Sequence, residues 1–140
     1  MVTIQTLVGA ARRSVKIRVI APSGHIDFKV MRKALRGSWD PMLQAGIEFA
    51  EFQPTMYHVK GLVVDGVFSS VSSTNFDNRS FRLNDEANLN VFNRNFGAIQ
   101  RGVFDQDWAL ARRITLAEWQ ARPWTERLLE RVAGMLNSQL

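Results

Sequence analysis

Cysteine is missing from this 140-residue chain, which excludes disulfides and thiolate metal sites as supports for its fold. Also missing is any stretch near the roughly 18 consecutive apolar residues that a membrane-spanning helix needs, and the first residues carry no signal-peptide pattern. The chain is therefore expected to be soluble or peripheral to a membrane. No internal repeat or low-complexity segment interrupts it. Lys and Arg total 18 against 13 acidic residues, yet nowhere do they gather into the dense run of a nucleic-acid-binding arm. The net charge of +5 and the pI near 10.4 favour anionic partners at long range. DNA and anionic lipid headgroups both qualify, and a generally solvated basic surface is the simplest account.

What is present is 46% hydrophobic content in a length that suits one domain, residues 1–140, around one core. Residues 4–13 (IQTLVGAARR) space their apolar side chains as a helix does, and VKIRVIAP then alternates and β-branches like a strand ending at Pro22. After a turn at Pro22, Ser23 and Gly24, the stretch HIDFKVMRKALRG puts Ile26, Val30, Met31 and Leu35 on one helical face and stops at Gly37. A short helix over DPMLQAG, with Asp40 as its cap and Pro41 in its first turn, leads into the strand IEFAEF. MYHVKGLVVDG and VFSSVSS predict two strands around a tight turn at Asp65 and Gly66, and EANLNVFN predicts a further alternating strand. From Phe96 onward the pattern is helical. Phe96, Ile99, Val103, Phe104, Trp108 and Leu110 lie within Arg94 to Arg113, and Trp124, Leu128, Val132 and Met135 or Leu136 form a second stripe; such stripes usually face a core. This order predicts an α/β fold, a mixed β-sheet sandwiched between α-helices, with the adjacent strands 56–66 and 67–73 central.

The chemistry concentrates in residues 58–75, HVKGLVVDGVFSSVSSTN. Successive side chains of a strand point to opposite faces, so His58 and Lys60 project from one side about 6 to 7 Å apart, within reach of a single phosphate. A phosphodiester resists attack because its oxygens repel nucleophiles and its alkoxide leaving group is poor. Imidazole serves as nucleophile near neutral pH, and a protonated imidazole donates to a departing oxygen. Lys60 supplies positive charge to the nonbridging oxygens in the five-coordinate transition state, and Ser73 and Asn75 can donate hydrogen bonds to the same oxygens from the turn that follows. No metal or other cofactor is required. Asp65 closes the spacing, although an aspartate in a hairpin turn often bonds only its own backbone. Arg79 and Arg82 in NRSFRLN have guanidinium forks that fit a second phosphate or brace the loop. His25 and Asp27 sit where helix capping accounts for them.

These residues carry a resemblance. The stretch is similar to the HxKxxxxDxxxxxxGSxN signature of the phospholipase D superfamily, with six residues between Asp65 and Ser72. QPTMYHVK before it and SSTNFDNRSFRLNDEANLNV after it resemble the corresponding region of bacterial cardiolipin synthases. Residues 44–93 carry most of the likeness, residues 8–43 match more loosely, and the final helical stretch matches in character. The chain departs from the pattern at Ser72, where the family has glycine; a serine takes positive φ less cheaply and adds a side chain beside the phosphate site. The resemblance implies a phosphohistidine intermediate and two copies of the motif facing each other, from two halves of one chain or from a homodimer mate.

One copy is present, and the aromatic strand that usually precedes the first helix in the family is not. The expected arrangement is therefore a C-terminal half of a two-motif protein, whose isolated activity would be weak or absent. By resemblance, His58 protonates the leaving group and later activates the incoming hydroxyl, and Glu86 accepts the second imidazole N–H and fixes its tautomer, with Asp85 as the competing carboxylate. The implied activity is phosphatidyl transfer from an anionic phospholipid such as phosphatidylglycerol. The full-length protein is then expected at the bacterial cytoplasmic membrane, held peripherally or by an anchor outside this stretch. A homodimeric phosphodiesterase or nuclease is the rival enzyme, and a noncatalytic scaffold half is the third possibility.

Overall fold

The computed structural model describes residues 4–23, 36, 39–73 and 87–126, which form two compact units. The first comprises residues up to Tyr57 and from Leu110 onward; the second runs from His58 to Ala109. The α/β class expected from the sequence is the class observed, but the described strands fall into two three-stranded sheets.

In the first unit, helix α1 (Ile4–Arg12) precedes strand β1 (Arg18–Pro22), helix α2 (Trp39–Gln44) and strand β2 (Glu48–Phe52). The chain returns at β6 (Ala111–Ile114) and helix α4 (Leu116–Gln120). Strand β2 is central: it pairs in parallel with β1 and antiparallel with β6, whose Ala111 faces Phe52. Its residues Phe49, Ala50, Glu51 and Phe52 are all buried, as a strand covered on both faces requires.

Around it Trp39, Met42, Leu43, Ile47, Ile114 and Trp119 close a core. Trp39 stacks between Phe49 and Trp119 at centroid distances of 5.0 and 5.3 Å. The Arg36 guanidinium lies 5.0 Å from the Trp119 ring centre and donates to the buried Glu51 carboxylate at 2.8 Å. One cation thus meets both a π face and a charge.

Asp40 does not cap α2. It lies inside the helix, where its carboxylate accepts from Gln44 Nε2 one turn later at 2.7 Å. The helical pattern read through Arg113 also fails after Leu110, because the next four residues pair with β2 instead of continuing the helix. Thr115 then starts α4 with a reciprocal capping box to Glu118.

In the second unit, β3 (Gly61–Val64), β4 (Phe68–Ser72) and β5 (Asn88–Phe92) form an antiparallel sheet followed by helix α3 (Arg94–Leu110). Of the two adjacent motif strands, β4 is central and β3 is an edge among the described strands. Asn93 caps α3, its side-chain oxygen accepting from Phe96 N at 3.0 Å. The stripe on this helix is only partly covered: Trp108 is buried and stacked on Phe104, whereas Ile99 and Val103 are exposed. Trp124 is likewise exposed; apart from Arg36, the predicted helix 25–37 lies outside the described residues, as does the stripe beyond residue 126.

Candidate active site

Turn chemistry sets the site's frame. Asp65 and Gly66 both adopt positive φ, 52° and 64°, and Val67 N–H donates to Val64 C=O at 3.1 Å. This left-handed pair matches the right-handed twist of the strands it joins, and an Asp-Gly dipeptide tolerates it best. Helix α3 presses against the turn: a Cβ on Gly97 would overlap the Gly66 carbonyl, so only glycine fits there.

From that turn, β3 and β4 run in register from the Val64–Phe68 pair to the Gly61–Val71 pair. His58 and Lys60 therefore precede the regular strand and do not lie within it. The ladder nevertheless reaches Lys60, whose carbonyl accepts from Ser72 N–H at 2.9 Å. The half-buried Lys60 side chain turns back along the chain, and its Nζ donates to the His58 carbonyl at 3.2 Å. The His58 residue itself is exposed. An ammonium group beside an accessible imidazole-bearing residue is an arrangement that can receive a phosphate from solvent.

Asp65 stands apart from these two. The four residues of β3, about 13 Å of extended chain, separate it from Lys60, and it is exposed in the turn. Ser73 lies at the other end, where its N–H donates to Ala87 C=O and its Oγ accepts from Ala87 N–H, both at 3.0 Å. That double bond to the backbone ties the segment after β4 to the segment before β5. Asn75, Arg79 and Glu86 lie outside the described residues, as do Arg82, Asp85, His25 and Asp27.

Ser72, where the superfamily pattern has glycine, is a regular strand residue. Among the described residues the positive-φ positions other than glycine are Ser14 and Asp65, so the backbone at Ser72 needs no glycine. Its side chain shares a face with those of Lys60 and Asn88, its partners on the two neighbouring strands. Asn88 was not singled out by sequence reasoning, because membership of this face depends on strand register.

The family model described as "Cardiolipin synthase, PLD-like domain" matches residues 2–108. The chain belongs to this phospholipase D-like family. Among curated members, cardiolipin synthase A of Proteus mirabilis is 36% identical over 124 residues, 88% of this chain and 25% of that protein. Cardiolipin synthase A of Serratia proteamaculans is 35% identical over 123 residues, with the same shares. Cardiolipin synthase of Geobacillus thermodenitrificans is 31% identical over 131 residues, 94% of this chain and 26% of that protein. The chain thus spans about a quarter of the length of these phospholipase D-like relatives. Among solved structures, the phospholipase D family member Nuc from Salmonella typhimurium superposes with a TM-score of 0.70 at 18% identity, covering 80% of this chain and 72% of that one. That likeness shows the fold.

Proposed function

We propose that this chain supplies one of two half-sites of a cardiolipin-synthase-like phosphatidyltransferase. The observation that carries the reading is Lys60, tied by the ladder to Ser72 and bent back upon His58, inside a stretch that matches the cardiolipin synthase family model. The donor is an anionic phospholipid such as phosphatidylglycerol. An imidazole nitrogen of the partner half attacks phosphorus, the P–O bond to the departing alcohol breaks, and a protonated imidazole of this half gives that oxygen its proton. The same imidazole then takes a proton from the acceptor hydroxyl, whose oxygen attacks phosphorus as the P–N bond breaks. His58 fills the acid and base role, and the partner half supplies the nucleophile.

Lys60 balances the nonbridging oxygens as charge develops on them, joined by Ser73 and Asn75, which follow β4 in sequence; the Ser73 oxygen also accepts from Ala87 N–H. Glu86 orients the imidazole, and Arg79 faces a second phosphate or headgroup. Asp65 holds the turn. No metal ion enters this scheme. The full-length protein works at the bacterial cytoplasmic membrane; no helix among the described residues is long and apolar enough to cross one.

A second reading is a two-fold dimer of this chain acting as a phosphodiesterase or nuclease, favoured by the 72% of the Salmonella family member that the chain covers. Phosphatidylglycerol vesicles separate the two. The chain alone is expected to give little turnover, and supplying the rest of its gene product to give cardiolipin. His58→Ala in that mixture is expected to remove about 10²- to 10⁴-fold of the rate. Robust transfer by the chain alone, with a two-fold dimer in solution, would replace the half-site reading by the second. Unchanged turnover of the His58→Ala mixture would end both.

A further inference from the structure

Lys60, Ser72 and Asn88 form one rung across three strands. Ser72 N–H bonds Lys60 C=O, and Ser72 faces Asn88 in the β4–β5 register. Directly opposed residues of an antiparallel pair share a face with Cβ atoms about 4.5 to 5.5 Å apart, so the three side chains leave the sheet side by side, that of Lys60 then bending back toward the His58 carbonyl. Two residues along, the next rung on the same face is Leu62, Ser70 and Asn90. The strand carrying the candidate phosphate cation therefore adjoins a block of two hydroxyls and two carboxamides, with Asn88 and Asn90 exposed.

The chemistry of that block is selective. A phosphate oxygen only accepts hydrogen bonds, so a site built for phosphate alone would offer donors. A carboxamide offers both an N–H donor and a C=O acceptor, and a serine hydroxyl does the same. Groups that both give and take match the hydroxyls of a polyol, which also give and take. Ser72 sharpens the point: its backbone is ordinary strand, so no left-handed turn calls for the family's glycine here, and what the serine brings to this face is a hydroxyl on the strand next to Lys60.

We propose that Ser72 and Asn88 form a hydroxyl-recognising subsite beside Lys60, which selects phosphoesters of polyols over those of simple alcohols. The inference rests on the reading of Lys60 as a phosphate-binding cation. It assigns the recognition of the glycerol hydroxyls of the proposed phosphatidylglycerol donor to two residues of this chain.

The test is a ¹⁵N-edited NMR titration of the chain with sn-glycerol 1-phosphate and, separately, with propyl phosphate, which has the same carbon count and lacks both hydroxyls. Glycerol phosphate should bind more tightly by about three- to tenfold, the worth of one or two net hydrogen bonds. Ser72→Ala and Asn88→Leu should each narrow that gap while leaving the propyl phosphate affinity unchanged. Asn88 is exposed, so its variant keeps the test valid should Ser72→Ala disturb the sheet. Lys60→Met should weaken both ligands together. Equal affinities in the unaltered chain, or a preference that survives both variants, would overturn the subsite and leave the phosphate reading standing. Failure of both ligands to shift any resonance would overturn the phosphate reading, and the subsite with it.

Discussion

Gly97 lies so close to Gly66 that a methyl group on the first would sit 2.6 Å from the carbonyl carbon of the second and nearer still to its oxygen. Both atoms belong to backbone, which cannot rotate aside as a side chain can. The helix start and the hairpin turn are thereby held against each other at one point.

Gly97→Ala is expected to destabilise the chain by about 1 to 3 kcal/mol, the usual cost of overpacking. Gly102 lies in the same helix with open space for at least 4 Å around the point where a Cβ would stand, so Gly102→Ala should stabilise by about 0.5 to 1 kcal/mol through lower chain entropy. Urea denaturation of the two variants checks the opposite signs.

Asp65→Asn should leave transfer activity within about twofold, because asparagine also accepts the left-handed turn conformation. The assay is the complemented vesicle reaction. A loss of about a hundredfold or more, the scale of general acid–base catalysis, would bring the carboxylate into the chemistry despite its place at the far end of β3.

Glu51 separates two kinds of ion pair. Its side chain is 4% exposed and is shared between Arg36, 13% exposed at 2.8 Å, and Arg112, 55% exposed at 3.5 Å. Arg36→Met removes the closer partner of a buried carboxylate and is expected to cost about 3 kcal/mol, whereas Arg112→Met should cost under about 1 kcal/mol. Equal losses in denaturant titrations would contradict this division.

Glu118 gives the fold a dependence on acid. The backbone N–H and then the hydroxyl of Thr115 hold its carboxyl below the ordinary value of 4.5, because both bonds favour the ionised form. A depressed carboxyl adds stability above its unfolded value, and the addition fades as pH falls through the folded one. Stability should therefore decline more steeply below about pH 4.5 in the parent than in Glu118→Gln, as thermal melts across that range would record.

Legibility followed locality. Asp65–Gly66 could be read as a turn because two adjacent residues carry its whole conformational requirement, and β2 because its apolar run needs burial. Strand β6 left no such mark. Ala-Arg-Arg-Ile follows the helix without Gly or Pro, and only pairing with β2, far back in the sequence, turns it into a strand. The helix stripe failed for a related reason: spacing puts Ile99 and Val103 on a common face with Phe96, but spacing says nothing about whether that face is covered. At the candidate site the nearness of Lys60 to His58 was readable from their two-residue separation, whereas their place ahead of β3 and not within it was not. The rung joining Lys60 to Asn88 needed a register that no local window contains. Asp40 was misplaced by less than one turn, lying second in the helix and not before it, since an aspartate before proline suits both a cap and a first turn.

Phe52 and Ala111 are cross-strand partners, so the chain leaves the first sheet and re-enters it at neighbouring points, with residues 53–110 strung between. In effect residues 53–110 are the connection of an oversized β-hairpin. Such a loop tolerates growth, since each doubling of its length adds only about 0.6 kcal/mol to closure. Grafting follows as an option: a short Asn-Gly connection from Phe52 to Ala111 should yield a minimal scaffold, into which other segments with closely spaced ends could be spliced.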